Sequence, residues 1–102
     1  MRTAVILSIL LLNSLVHSQV GNSYEICKAK VYQRANLAHA KKCNTDDPKL
    51  KQHETVLERQ CQEARTWGEK RECLIALFNI KLLLCTISLD YCNENQSEFE
   101  KY

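Results

Sequence analysis

The sequence is poor in the residues that turns and β-structure usually require. Its 102 residues include only two glycines and one proline, and no segment alternates between apolar and polar side chains as a half-buried strand does. Common catalytic motifs are also missing, since there is no GxSxG, no HExxH and no glycine-rich phosphate loop. These absences favour an all-α protein that is not an enzyme and that uses no cofactor.

A strong excess of charge of one sign is absent as well. The net charge of +2 is too small to indicate nucleic-acid binding by itself. The distribution is uneven, because residues 28–51 contain seven basic and two acidic side chains, whereas residues 90–102 contain four acidic and one basic. The basic region also includes a tyrosine, a common interface residue, and we interpret the region as a binding surface. The alternative is that its long basic side chains only solubilise the surface. The candidate binding residues are Lys28, Lys30, Tyr32, Arg34, Lys41 and Lys42.

The N terminus has the pattern of a secretory signal peptide. Arg2 precedes an apolar run over residues 4–16, and Val16 and Ser18 occupy the −3 and −1 positions of a cleavage site before Gln19. The run is too short to span a bilayer. The pattern predicts removal of residues 1–18 and a single extracellular domain over residues 19–102. Near its end, Asn95-Gln96-Ser97 forms an N-glycosylation sequon, which makes Asn95 a glycosylation candidate.

All six cysteines follow the predicted cleavage site. An even number of cysteines in a small chain routed to an oxidising compartment predicts three disulfides. No pair has CxxC spacing, and neither His39 nor His53 lies in a finger-like pattern with cysteines, so we expect no metal. The six residues are Cys27, Cys43, Cys61, Cys73, Cys85 and Cys92.

Capping signals divide the chain after the signal peptide into three helices. Asn22, Asp47 and Thr66 each precede a helical pattern, and Pro48 suits the first position of a helix. The predicted helices span residues 23–43, 48–66 and 69–92, joined by short turns into a small disulfide-stapled bundle. The polar tail, residues 93–102, is expected to fray. The apolar stripe of the first helix is predicted to contain Tyr24, Cys27, Val31, Ala35 and Ala38.

The third predicted helix is the most apolar segment of the chain after the signal peptide. It has two apolar faces separated by polar stripes, one face including Leu74 and Phe78 and the other Leu77 and Ile87. A helix of this kind is expected to lie between two neighbours. Three uses of its surface remain open: a buried core, a face of helix 69–92 for a homodimer or another partner, and a groove for an apolar ligand.

Helix geometry restricts the disulfide pairing. On a continuous third helix, Cys85 lies about 18 Å from Cys73 and about 10 Å from Cys92, too far to pair with either. Cys61 and Cys73 flank the second turn, and Cys43 comes level with Cys85, which leaves Cys27 with Cys92. That last pair requires a bend after Cys85 or a curved first helix. Otherwise the pairing differs, or a leftover pair bridges two chains.

In layout, the chain after residue 18 resembles the helical, cysteine-stapled polypeptides found among venom components and water-borne pheromones. The resemblance implies a secreted protein that binds an extracellular protein target, a receptor or channel, as a toxin-like effector or a peptide signal. One alternative is a carrier of a small apolar ligand or lipid. Another is a membrane-active bundle that contacts lipid directly.

Overall fold

The computed structural model describes residues 21–102, and the predicted signal peptide, residues 1–18, lies outside this part of the chain. The described residues form helices and no strands, which confirms the all-α prediction. Three helices have more than three turns, and two short ones follow. The helices are α1 Ser23–His39, α2 Pro48–Glu63, α3 Trp67–Leu83, α4 Leu89–Glu94 and α5 Gln96–Phe99.

The three long helices begin where the capping residues predicted. The Asn22 side chain accepts a hydrogen bond from the Glu25 backbone N–H, and the Asp47 carboxylate accepts one from Lys49. The Thr66 hydroxyl accepts one from the backbone N–H of Glu69 at 3.1 Å. Each bond satisfies a backbone donor that has no partner inside the helix. With Thr66 as the cap, α3 begins at residue 67, two residues before the predicted start.

The third helix ends earlier than predicted, at Leu83 instead of residue 92. Cys85 adopts a left-handed backbone conformation with φ of 56°. The Cys85 N–H donates to the Leu82 carbonyl at 2.9 Å, and the Thr86 N–H donates to the Lys81 carbonyl at 2.8 Å. This pair of bonds is a Schellman cap, which normally has glycine at the left-handed position. The chain therefore leaves the helix axis at Cys85 and reverses into α4.

The first two helices are also shorter than predicted, ending at His39 and Glu63 instead of residues 43 and 66. Lys41 follows α1 with φ of 57°, and the Lys42 N–H donates to the Leu37 carbonyl at 3.0 Å. The end of α1 is thus a second Schellman cap without glycine. Residues 41 and 42 belong to the turn after α1 and not to the helix.

Helix α3 is the central element of the fold. Both α1 and α2 pack against it, and within residues 21–102 they do not pack against each other. The prediction that the apolar third helix lies between two neighbours is therefore confirmed. Within residues 69–92, the side chains with less than 9% exposure are Leu74, Leu77, Phe78, Leu82, Leu84, Ile87 and Cys92.

The buried face of α1 differs from the predicted stripe. Ala35 and Ala38 are exposed, whereas Lys30 is only 9% exposed. The bridge from Cys27 and a hydrogen bond from the Ser23 hydroxyl to the Phe99 carbonyl turn a different side of the helix inward. The aliphatic stem of a lysine can cover apolar neighbours while its ammonium stays near solvent. The buried side chains of α1 are Ser23, Ile26, Cys27 and Lys30.

All six cysteines form disulfides, and the pairs are those assigned from the sequence. The Cα–Cα distances are 5.8 Å for Cys27–Cys92, 5.7 Å for Cys43–Cys85 and 5.4 Å for Cys61–Cys73. The reversal at Cys85 explains the first pair, because it carries Cys92 back along α3 to the beginning of α1. Each bridge is expected to contribute about 2–4 kcal/mol by restricting the unfolded chain.

The C-terminal segment is packed, so the prediction of a frayed tail is wrong. Phe99 is only 4% exposed, and its ring lies edge-on to Phe78 with centroids 5.1 Å apart. The Trp67 indole N–H donates to the Lys101 carbonyl at 2.7 Å. Arg71 donates from Nη1 to the backbone oxygens of Gly21 and Tyr102. The segment stays in place because Phe99 completes the core around Phe78.

We predict that Phe99→Ala destabilises the protein by about 3–5 kcal/mol, the usual cost of truncating a buried phenylalanine. The measurement is denaturant unfolding with the disulfides intact. Glu100→Ala, at the exposed neighbouring residue, is the control and should change the free energy of unfolding little. Equal stability of the two variants would contradict the packed C-terminal segment.

Candidate binding surface

A stripe of three exposed side chains and one half-buried lysine runs along one side of α1. Its members are separated by four, three and four residues, the spacing that places side chains on one face of a helix. Tyr32 is 72% exposed, and Lys28 extends over the ring of Tyr24 with Nζ 4.5 Å from the ring centroid. We call this stripe the outer face of α1. It consists of Lys28, Tyr32, Ala35 and His39.

Two of the predicted binding residues lie elsewhere on α1. Lys30 and Arg34 are four residues apart, on the side of the helix that contains the buried Cys27. Lys30 is buried and Arg34 is half-buried, and their position on the Cys27 side of α1 separates both from the outer face. The predicted basic surface is thus divided, and Lys28 and Tyr32 are the candidates that face outward.

Lys41 and Lys42 are exposed in the turn that follows the outer face. A disulfide and a backbone hydrogen bond fix the residues that follow this turn to the end of α3. Cys43 is bonded to Cys85, and the Asn44 backbone N–H donates to the Leu83 carbonyl at 2.9 Å. The two lysines are therefore presented from a position tied to the end of α3.

The basic side chains of α1 and this turn are not neutralised within residues 21–102. The ion pairs of the described chain involve Lys70, Lys81 and Lys101, and none uses a basic residue between 23 and 42. Glu25 is the sole acidic residue of α1. The outer face and the turn after it therefore form a positively charged surface with exposed tyrosine at its centre.

On another side of α3, a polar cluster joins this helix to α2 and α4. The Lys81 ammonium contacts the carboxylates of Glu54 at 3.2 Å and Glu58 at 3.1 Å, and it lies 4.8 Å from the centroid of the Tyr91 ring. Burial, with smaller contributions from the charges of Glu58 and Glu54, raises the pKa of Tyr91 to about 12. Because the charges pair with one another, this cluster stabilises helix packing and presents no free reactive group.

Residues 21–102 were also compared with the requirements of a metal site and of a membrane span. In that part of the chain, no three His, Cys, Asp or Glu side chains are placed to hold a metal ion. No described helix has the length and apolar content needed to cross a membrane. Open depressions lie at the turn before α2, between α2 and α3, and beside Trp67.

Sequence reasoning missed three exposed residues. His39 and Ala35 complete the outer face, and their spacing from Lys28 and Tyr32 contained the signal. Trp67 is 59% exposed, although its indole N–H is bonded to Lys101 and the Arg71 guanidinium lies 5.8 Å from its ring. Trp67 directly follows the Thr66 cap and is the first residue of α3.

Comparison of the chain with models of known protein families, with curated proteins and with solved structures gave no match.

We predict that Tyr91 loses its proton near pH 12 in the folded protein. Tyrosine normally ionises near pH 10, so the stabilisation from keeping Tyr91 neutral is complete below pH 10 and is lost as the pH rises through 12. The measurement is tyrosinate ultraviolet absorbance after rapid mixing to alkaline pH, with Tyr91→Phe subtracted. A difference curve with its midpoint near 10 would contradict the prediction.

We also predict that limited reduction opens Cys43–Cys85 first. Both of its cysteines are half-buried, whereas Cys27 and Cys92 are completely buried and Cys61 is only 4% exposed. A reductant therefore reaches this bridge most easily. Alkylation followed by peptide mass mapping identifies the first pair opened, and earlier opening of either other bridge would refute this order.

Proposed function

We propose that this protein is a secreted helical polypeptide that acts by binding an extracellular protein, a receptor or channel, through the outer face of α1 and the turn after it. It acts as a toxin-like effector or as a peptide signal. The observation that carries the proposal is the 72% exposure of Tyr32 on the same helix face as Lys28, followed by a turn with two exposed lysines that form no ion pair within residues 21–102. Three disulfides in a small domain are consistent with an extracellular location.

The first support is rigidity. One bridge fixes the beginning of α1 through Cys27, and another fixes the turn after it through Cys43. The surface between them is held at both ends. A preorganised surface loses less conformational entropy on binding, and this increases affinity.

The second support is chemical character. Tyrosine is enriched among the residues that dominate binding energy, and lysines around it steer an oppositely charged partner. The partner should therefore present carboxylates around an apolar or aromatic pocket. Because the net charge is only +2, this local positive field is the main electrostatic feature that a partner would meet.

The alternatives have weaker support. A carrier or a homodimer through helix 69–92 needs a spare apolar face, and most large apolar residues of that segment are buried within the chain itself. Leu83 and Leu89 are the exposed leucines of the described residues, at 39% and 44%. A membrane-active bundle needs a wide apolar face, and the only other exposed large apolar side chains of residues 21–102 are Tyr32 and Trp67. The carrier alternative predicts stoichiometric binding of an environment-sensitive apolar dye, displaced by fatty acids.

We predict that Lys41→Glu/Lys42→Glu weakens saturable binding of the labelled, oxidised protein to responsive cells by at least about tenfold. The expected loss corresponds to about 1.4 kcal/mol, a modest figure for two reversed charges at an interface. Tyr32→Ala should have a comparable effect if the tyrosine is a central contact. Competition with unlabelled protein defines the specific signal.

The matched control is Arg59→Glu/Arg65→Glu, which makes the same change in net charge at two exposed residues outside this surface. Circular dichroism and disulfide mapping establish that each variant is folded. If both double variants lose binding equally, net charge and not this surface governs the interaction. If neither loses binding, the basic surface is not the binding site.

A further inference from the structure

We infer that Asn95 is an N-glycosylation site that accepts its glycan only before the C-terminal segment folds. The inference rests on the secretion that the proposed function includes. It concerns a part of the molecule that takes no part in the proposed binding surface. Asn95-Gln96-Ser97 is the one Asn-X-Ser/Thr sequence in the chain.

In the folded protein, the acceptor side chain is already engaged. Asn95 lies at the junction of α4 and α5 and is half-buried. Its Nδ2 donates a hydrogen bond to the Tyr91 carbonyl at 2.9 Å, across one turn of chain. An enzyme that transfers a glycan needs the amide free and turned toward its own active site, which this arrangement prevents.

The backbone around Asn95 is fixed as well. Three residues earlier, Cys92 is completely buried and bonded to Cys27. Four residues later, Phe99 is buried against Phe78, and its carbonyl accepts a hydrogen bond from Ser23. The sequon is therefore held on both sides by contacts to the core. Freeing Asn95 requires the C-terminal segment to leave its place.

The transfer itself is a simple substitution. The donor is an oligosaccharide linked to a polyprenyl pyrophosphate. Nδ2 of Asn95 forms a bond to the anomeric carbon, the bond from that carbon to the pyrophosphate oxygen breaks, and Nδ2 releases a proton. The pyrophosphate leaves with the electron pair, so no oxidant or reductant is involved. In the unfolded chain, nothing described above restrains the amide.

A glycan at this position does not cover the basic end of the proposed binding surface. The hydrogen bond between Ser23 and Phe99 places the C-terminal segment at the beginning of α1. Lys41 and Lys42 follow the other end of that helix, which is about 25 Å long for its 17 residues. Glycan and basic turn therefore lie at opposite ends of α1.

The first test uses secreted protein from a eukaryotic host, weighed before and after enzymatic removal of N-glycans. We expect a glycan mass that is absent from Asn95→Gln and Ser97→Ala and retained in Ser97→Thr. Cys27→Ser/Cys92→Ser, weighed from the whole culture, should raise the occupied fraction because it delays docking of α4. If both the wild type and the Cys27→Ser/Cys92→Ser variant carry no glycan, Asn95 is not a glycosylation site. The same mass shows whether cleavage occurred before Gln19, which tests secretion separately.

The second test isolates the timing. Oxidised, folded protein made in bacteria and its reduced, alkylated form are each incubated with microsomal oligosaccharyltransferase and a lipid-linked oligosaccharide. We expect transfer to the reduced chain and transfer at least about tenfold slower to the folded protein, since each 1.4 kcal/mol of local opening free energy is a factor of ten. Equal transfer rates would overturn the folding requirement, and failure of both forms to accept the glycan would overturn the site.

Discussion

The tertiary structure depends on one constraint: α1 and α2 pack on α3 and not on each other. In most small bundles every helix contacts two others, so a helix that loses one contact is still held by the other. Here the first helix is joined to the second through α3 and through the turn between them. The bridges Cys27–Cys92, Cys43–Cys85 and Cys61–Cys73 match this arrangement, because each ties an outer helix or its turn to α3 or to the segment that follows it. A single apolar helix thus organises a chain whose other helices are largely polar.

The helix starts were predictable from sequence, and the helix ends were not. Asn22, Asp47 and Thr66 are side chains whose chemistry acts locally, so their effect can be recognised without tertiary information. The ends of α1 and α3 depend on Lys41 and Cys85 in a left-handed conformation that neither residue type favours. Cys85 also forms the bridge to Cys43, a long-range contact that the local sequence does not reveal. Sequence reasoning therefore predicted the pairing yet extended the helix through the residue where it stops.

The candidate surface was predictable in part for a similar reason. Composition identified Tyr32, Lys41 and Lys42, which are exposed, and Lys28, which is half-buried. Lys30 was included with them because a local charge count does not reveal which side of a weakly amphipathic helix faces inward. That side is chosen by Cys27 and by the contact between Ser23 and Phe99, residues 76 positions apart in sequence. Hydrophobic periodicity predicts the buried face of a helix only where apolar side chains dominate its packing. In α1, a disulfide and a hydrogen bond have that role instead.

The chain contains a single tryptophan, and its position makes it an optical reporter of the C terminus. The Trp67 ring is largely exposed, but its N–H is bonded to the Lys101 carbonyl, and Arg71 beside it also binds the backbone of Tyr102. Detachment of the last residues changes the polarity and hydrogen bonding of the indole while the distant end of α1 stays in place. Intrinsic fluorescence can therefore follow the docking of the C-terminal segment separately from the assembly of the helices, without any added dye.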